Sequence, residues 1–373
     1  MNRKPIYVTQ PFLPPIEEFQ PYIQKIWNSK VLTNSGPFHE QLEEALASYL
    51  GVRYISLFSN GTLALITALQ TLNITGEVIT TPFSFVATTH ALWWNKIKPV
   101  FIDIELETFN INPKKIEAAI TSKTTAILPV HVYGYPCKVN EIEKIANNHR
   151  IKVIYDACHT FGARLNGQSI VNYGDLSILS FHATKVFNTF EGGAIVCHDK
   201  KTKQQIDKLK NFGFTGETTV VAPGINAKMN EIQAAFGLLQ LKYIDTIIGK
   251  RKELSKLYDI LLADIKGITF MKKNDSLNYN YAYYPILISK KEFGCSRDEL
   301  YERLKKYNIF TRRYFYPLIC DFPTYKGLPS SSESNLSIAT SVSKQILCLP
   351  IYPDLDFENV EYIVNCMLRS KEL

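Results

Sequence analysis

The amino-acid sequence predicts an α/β fold in two parts: a large domain on a mostly parallel central sheet over residues 1–245, and a smaller α+β domain over 246–373. Three observations carry this reading. The chain has 373 residues, more than a single domain of about 150 would use. From residue 50 to residue 200 short apolar runs alternate with helix-period segments, the pattern of parallel strands covered on both faces. After Gly193 the alternation stops, and a long helical pattern opens near Met229.

The elements follow in chain order. Residues 54–58, 77–80, 99–103, 125–129 and 152–156 are five strands, rich in β-branched or aromatic residues and bounded by turn residues. Segments 62–72, 114–121 and 140–148 between them have helical period, and 194–197 reads as a further strand. Ile232, Phe236 and Leu239 form one stripe of a helix that continues, with a break near Gly249, to about Leu262. Beyond it lie an apolar run over 281–288, amphipathic helices over 296–306 and 357–369, and a serine-rich surface loop at 330–334.

Composition narrows the function classes. With 46% hydrophobic and 21% charged residues the chain is globular, not disordered or fibrous. No run reaches the roughly 18 apolar residues of a membrane helix, and proline interrupts the first fifteen residues before a signal-peptide core could form. A soluble, cytoplasmic protein with no membrane partner is expected. Seven scattered cysteines without CxxC spacing read as buried thiols in a reducing compartment, and no metal site is expected. The net charge of +7 has its densest stretch at Lys200–Lys210, read as the solvated face of a helix. No aromatic-interleaved basic motif accompanies it, so nucleic acid is not an expected partner.

The chemistry concentrates at strand ends. Lys185 follows the apolar run ending at Ser180 and precedes the Gly192-Gly193 turn, where desolvation would lower its amine pKa and suit it to Schiff-base chemistry. Asp156 closes a strand at the edge where open α/β sheets bind ligands, and a buried carboxylate there needs a cationic partner. A protonated pyridine nitrogen would serve. Gly61 and Thr62 open a helix whose free amides face an anion such as phosphate, and Phe85 offers a ring to stack on a flat cofactor. Each residue has an ordinary alternative: a surface charge, a helix cap, a turn, a core aromatic.

Taken together, Gly61-Thr62, the Thr81-Pro-Phe-Ser-Phe85 turn, Asp156-Ala-Cys-His159, Ser180 to Lys185 with Glu191-Gly-Gly193, and Gly224-Ile-Asn226-Ala-Lys-Met resemble, in order and spacing, the DegT/DnrJ/StrS sugar aminotransferases. The resemblance spans most of the chain, including Arg313-Tyr-Phe-Tyr-Pro317 and Leu349-Pro-Ile-Tyr-Pro353. It implies the pyridoxal 5′-phosphate (PLP) aminotransferase fold type I, with Lys185 bonded to the cofactor, Asp156 on the pyridine nitrogen and His159 beside the phenolic oxygen. It further implies Gly61, Thr62 and Ser180 at the phosphate, Phe85 on the ring, and Asn226 reaching the phosphate of a neighbouring subunit in a homodimer.

The implied partners are L-glutamate and a nucleotide-linked keto-sugar. For the latter, Arg313, Tyr314 and Tyr316 and the loop Asn34-Ser35-Gly36 are the candidate contacts, with surface charge and aromatic packing as alternatives. The wording around His182–Gly193 resembles the viosamine-forming branch, which aminates C4 of dTDP-4-keto-6-deoxy-D-glucose for surface polysaccharides such as O-antigen. Amination at C3, a PLP-dependent dehydratase and a non-catalytic PLP-binding regulator are the competing readings; lysine at 185 favours transamination over the dehydratase branch, which resembles this chain but carries histidine there.

Overall fold

The computed structural model describes residues 3–271 and 276–371. A seven-stranded sheet is built from β1 (Tyr54–Phe58), β2 (Glu77–Thr80), β3 (Lys98–Phe101), β4 (Thr124–Leu128), β5 (Lys152–Asp156), β6 (Leu176–Ser180) and β7 (Gly193–Cys197), in the order β1-β7-β6-β5-β4-β2-β3. From β6 to β3 all neighbours run parallel, while β7 is antiparallel to both β1 and β6. Residues of one strand alternate between two cores. On one face Leu57, Val153, Tyr155, Leu179 and Val196 meet α1 (Ile16–Ser29), α2 (Pro37–Leu50) and the start of the long helix; on the other Phe58, Ile154, Ile178 and Ile195 meet α3 (Gly61–Thr71) and α4 (Ala87–Trp94). Burial on both faces is why these strands read as near-continuous apolar runs.

After α5 (Val139–His149) and α6 (Lys200–Leu209) comes α7, Glu231–Leu262, 32 residues without interruption. The expected break at Gly249 does not occur. A capping box between Asn230 and Gln233 starts the helix, and its two halves are buried in different cores, Ala234 to Ile247 in the large one and Leu254, Tyr258 and Leu262 in the small one. That packing offsets the roughly 1 kcal/mol propensity cost of one glycine. The helix therefore runs straight through residue 245.

The smaller core is a three-stranded antiparallel sheet of β8 (Ile268–Phe270), β9 (Tyr284–Ile288) and β10 (Ile346–Leu349), with α8 (Arg297–Lys306), α9 (Ser337–Gln345) and α10 (Phe357–Arg369). The chain start joins it: Ile6–Tyr7 pairs in parallel with Ile309–Phe310, and Ile6 is buried there.

The basic stretch is a helix but not simply a solvated face. Lys203 and Lys210 fold inward onto Glu43 and Asp207, with Lys210 only 3% exposed. A carboxylate pair supplied by α2 and α6 turns what looks in sequence like a polybasic run into a partly buried ion-pair network. All seven cysteines are free thiols, six buried and Cys158 half-buried. Among the described residues no helix is long and apolar enough to cross a membrane.

Candidate active site

A cavity of about 380 Å³ opens at the C-terminal edge of the parallel strands, where large and small cores meet. Gly61, Thr62, Phe85, Asp156, His159, Ser180, Lys185 and Tyr314 all line it. Residues spread over 250 positions are brought together because β1, β2, β5 and β6 end on the same side of the sheet.

The floor is the first turn of α3. The Asn60 side chain caps the helix by accepting from Leu63 N at 2.9 Å, and the amides of Gly61 and Thr62 take no acceptor among the described residues. Space is tight on both sides of this turn, and at Gly193 only glycine fits. A Cβ on Gly61 would press on Ser180 Cβ at 3.1 Å, and one on Gly193 would lie 2.7 Å from Gly61 N. The result is a pair of free amides beside the Ser180 and Thr62 hydroxyls, a ready anion cradle.

Asp156 ends β5, 5% exposed. Its Oδ2 accepts from Thr88 Oγ1 at 2.7 Å and its Oδ1 from Cys158 N at 3.2 Å, while Thr88 is held in turn by Ser84 at 2.8 Å. Asp156 is thus a carboxylate already held in place by two hydrogen bonds at the cavity wall, with the Lys185 amine as the cation that shares the cavity. His159 is buried, and its Nδ1 accepts from Tyr133 N at 3.2 Å. Burial first, then Lys185 and His131, hold its pKa well below the ordinary histidine value. The ring is neutral and carries its proton on Nε2.

Lys185 lies in the 181–192 loop between β6 and β7, half-buried, with Nζ 3.4 Å from Tyr283 Oη. The expectation of a lowered amine pKa is not met. Burial does push it down, but Tyr283, Cys158 and Asp156 push it up, and the net shift is upward. Phe85 is 58% exposed at the rim, which rules out the core-packing alternative for that ring.

Other expected contacts lie elsewhere. Of the Arg312-Arg313 pair it is Arg312 that lines the cavity. Arg312 bridges to Cys348, and the next side chain points the other way: Arg313 Nη1 binds Asp298 Oδ1 at 2.7 Å, and its guanidinium lies over Tyr301 and Tyr316. Tyr316 is thereby held outside too. Asn34 and Ser35 line a second cavity, of about 330 Å³, with Lys203, Lys210 and Lys228. Gly36, at the N-cap of α2, is buried beside Glu231, whose carboxylate accepts from Phe38 N and His39 N. Asn226 is exposed, and Lys228 Nζ donates to its Oδ1 at 2.9 Å.

Thr88, Arg312 and Tyr283 were missed. Thr88 could have been found, since it sits eight residues beyond a strand end near Phe85. Nothing in sequence marks Tyr283, which reaches the cavity only through the docking of the small core.

The donor set fits PLP: an anion cradle at a helix N-terminus, a buried carboxylate, an exposed aromatic and an amine share one cavity. A family model described as the DegT/DnrJ/EryC1/StrS aminotransferase family matches residues 15–368. The chain is 57% identical over 371 residues to the dTDP-4-amino-4,6-dideoxy-D-glucose transaminase of Escherichia coli, covering 99% of each, and 52% identical over 368 residues to that of Shigella dysenteriae, covering 99% of this chain and all of the relative. The solved structure of DesI in the presence of its TDP-sugar product superposes with a TM-score of 0.94 at 32% identity, covering 99% of this chain and 95% of DesI.

Proposed function

This chain belongs to the DegT/DnrJ/EryC1/StrS aminotransferase family, and from that premise we propose that it converts dTDP-4-keto-6-deoxy-D-glucose to dTDP-4-amino-4,6-dideoxy-D-glucose with L-glutamate as donor and PLP as cofactor. The meeting of Lys185, Asp156 and the α3 amides in one cavity carries the chemistry; the identity to the two transaminases supports the sugar. When bound, PLP supplies an electron sink conjugated to the reacting amine.

The chain's own residues do the rest. The Gly61 and Thr62 amides and the Ser180 hydroxyl would hold the phosphate. Asp156, locked by Thr88 and Cys158 N, would keep a proton on the ring nitrogen of a bound cofactor by charge pairing. Neutral His159, with its proton on Nε2, would offer that N–H to the phenolic oxygen. Phe85, exposed at the rim, would cover the ring face. Lys185 Nζ takes the proton from Cα of glutamate and later delivers one to the sugar carbon. Arg312 lends the cavity wall a positive charge for anionic substrates.

The enzyme works as a homodimer in the cytoplasm, where its free thiols suit a reducing compartment. Asn226, Lys228, Asn34 and Ser35 form one patch outside the chain's own cavity. Exposed Val31, Leu32, Phe214 and Val220 lie in the same segments. A second copy covering that patch would receive Asn226 at its phosphate. The downstream use, a surface polysaccharide such as O-antigen, follows the branch the sequence resembles.

The test is an absorption spectrum of the purified protein, supplied with PLP, before and after glutamate, beside Lys185→Ala, followed by mass and NMR analysis of the sugar. A glutamate-dependent loss of the yellow band only with Lys185 present, and nitrogen at C4, is expected. Nitrogen at C3, loss of sugar oxygen without glutamate consumption, or no half-reaction would each replace this reading with the C3 enzyme, the dehydratase or the regulator.

A further inference from the structure

Tyr283, at the edge of the small core, meets the reacting amine. Lys185 Nζ lies 3.4 Å from its Oη and 6.0 Å from its ring centroid, so the amine meets the hydroxyl end of the ring and not its face. No other hydrogen-bond partner of that hydroxyl occurs among the described residues. The contact is long for a hydrogen bond. What makes it significant is how firmly the ring is placed.

The segment before β9 is strapped onto the large core on both sides of His159. Tyr279 Oη donates to Tyr133 O at 2.7 Å, and Asn280 Nδ2 donates to His159 O at 2.8 Å and to Phe161 O at 3.0 Å. Buried Arg251, from α7, donates to the carbonyls of Tyr281, Ala282 and Ile351. Gly134 is what lets the strap dock, since a Cβ there would meet both Asn280 Oδ1 and His159 O at 2.7 Å. The Tyr283 ring then stands edge-on to His159 at 4.9 Å and to Tyr314 at 5.9 Å, with Tyr133 at 5.4 Å. Three rings and a hydrogen-bonded backbone fix where Oη sits.

A phenol both donates and accepts. It can accept from the lysine ammonium and donate to the neutral amine. The other groups facing Lys185 lack this property: Asp156 only accepts and is engaged by Thr88, and neutral His159 offers only its Nε2–H. Cys158 is a weak partner, and Arg312 and Tyr314, though they line the same cavity, make no hydrogen bond to Lys185 among the described residues.

We propose that Tyr283 is a positioning residue, supplied by the small core, that holds Lys185 Nζ in place in both of its protonation states while that amine moves protons. This rests on Lys185 being the proton carrier. Tyr283 is also the largest of the influences that raise the Lys185 amine pKa against burial.

Tyr283→Phe keeps the ring and deletes the hydroxyl. The first readout uses apoprotein: the rate of PLP uptake against pH reports the free Lys185 amine. In Tyr283→Phe its midpoint falls to lower pH, while the melting temperature is retained. The second readout is the glutamate half-reaction: its maximal rate falls about tenfold with glutamate affinity within about twofold, and the isotope effect from Cα-deuterated glutamate rises, as expected when general acid–base transfer is impaired. An unchanged midpoint overturns the proposal whatever happens to turnover. Failure of the functional reading looks different, because wild-type protein would then take up no PLP through Lys185 and Lys185→Ala would behave identically.

Discussion

Gly193 and Gly61 touch backbone to backbone: an added Cβ on Gly193 would lie 2.7 Å from Gly61 N and equally close to the Asn60 carbonyl carbon. Gly193 opens β7, whose insertion between β1 and β6 sets that strand directly under the first turn of α3. The cradle thus depends on a residue that touches no ligand.

Gly193→Ala should displace the α3 turn, because the atoms it meets are backbone and cannot rotate away. PLP affinity, measured by equilibrium titration of apoprotein, is expected to fall at least about tenfold, with a stability loss of about 1–3 kcal/mol as for other overpacking substitutions. Wild-type affinity would show that the cradle tolerates the shift.

Asp156 and Thr88 separate charge from its support. Asp156→Asn removes the charge and is expected to cost two orders of magnitude or more in the glutamate half-reaction, about what loss of a preorganised charge costs elsewhere. Thr88→Val leaves the charge and deletes one bond to it, about 1.5–3 kcal/mol for a hydrogen bond to a charged group. Stopped-flow kinetics should rank the two in that order; the reverse order would make Thr88 more than a support.

Two buried histidines give stability a pH dependence. Burial, assisted by Lys210, pushes the His39 pKa down to about 4, and burial alone pushes His131 down to about 3. Both rings are neutral in the folded chain well below the pH at which they protonate when unfolded, near 6.5. The unfolded state therefore binds more protons in acid, and the stability these rings contribute is complete above pH 6.5 and falls as pH drops towards 4. Urea unfolding at fixed protein concentration should lose roughly 2 kcal/mol per histidine between pH 7 and pH 5. His131→Gln should flatten part of that slope; an unaltered slope would place the loss in other groups.

Shared sites make a distinct prediction. Lys185→Ala lacks the amine, and Asn226→Asp sets a carboxylate against the proposed partner phosphate. Each should be nearly inactive alone. Co-expressed, they should recover about a quarter of wild-type activity, because half the dimers are mixed and each mixed dimer keeps one intact site. No recovery would mean that Asn226 serves its own subunit or none.

Much of the site was legible in the chain itself, and unevenly so. Lys185, Asp156, His159, Gly61, Thr62, Ser180 and Phe85 all reach one cavity. Every one of them sits at or just beyond a strand end, and strand ends can be read from local pattern. The helix break expected at Gly249 failed for the opposite reason: a single glycine is a local signal, and packing against two cores outweighs it. Lys203 and Lys210 misled in the same way, since the acids that bury them come partly from a helix some 160 residues earlier.

By itself, then, the sequence determined the doubly covered sheet, the residues at its ligand edge and the chemistry those residue types can perform, because strand periodicity and end chemistry are properties of neighbours in the chain. Only the tertiary structure decided which of two adjacent arginines faces the cavity, that Tyr283 stands against Lys185, and that the lysine amine pKa moves up and not down. Those outcomes depend on how the small core docks and on charges brought together from distant segments. In a low-dielectric cavity a group's nearest partners in space, wherever they lie in the chain, set its orientation and its proton affinity.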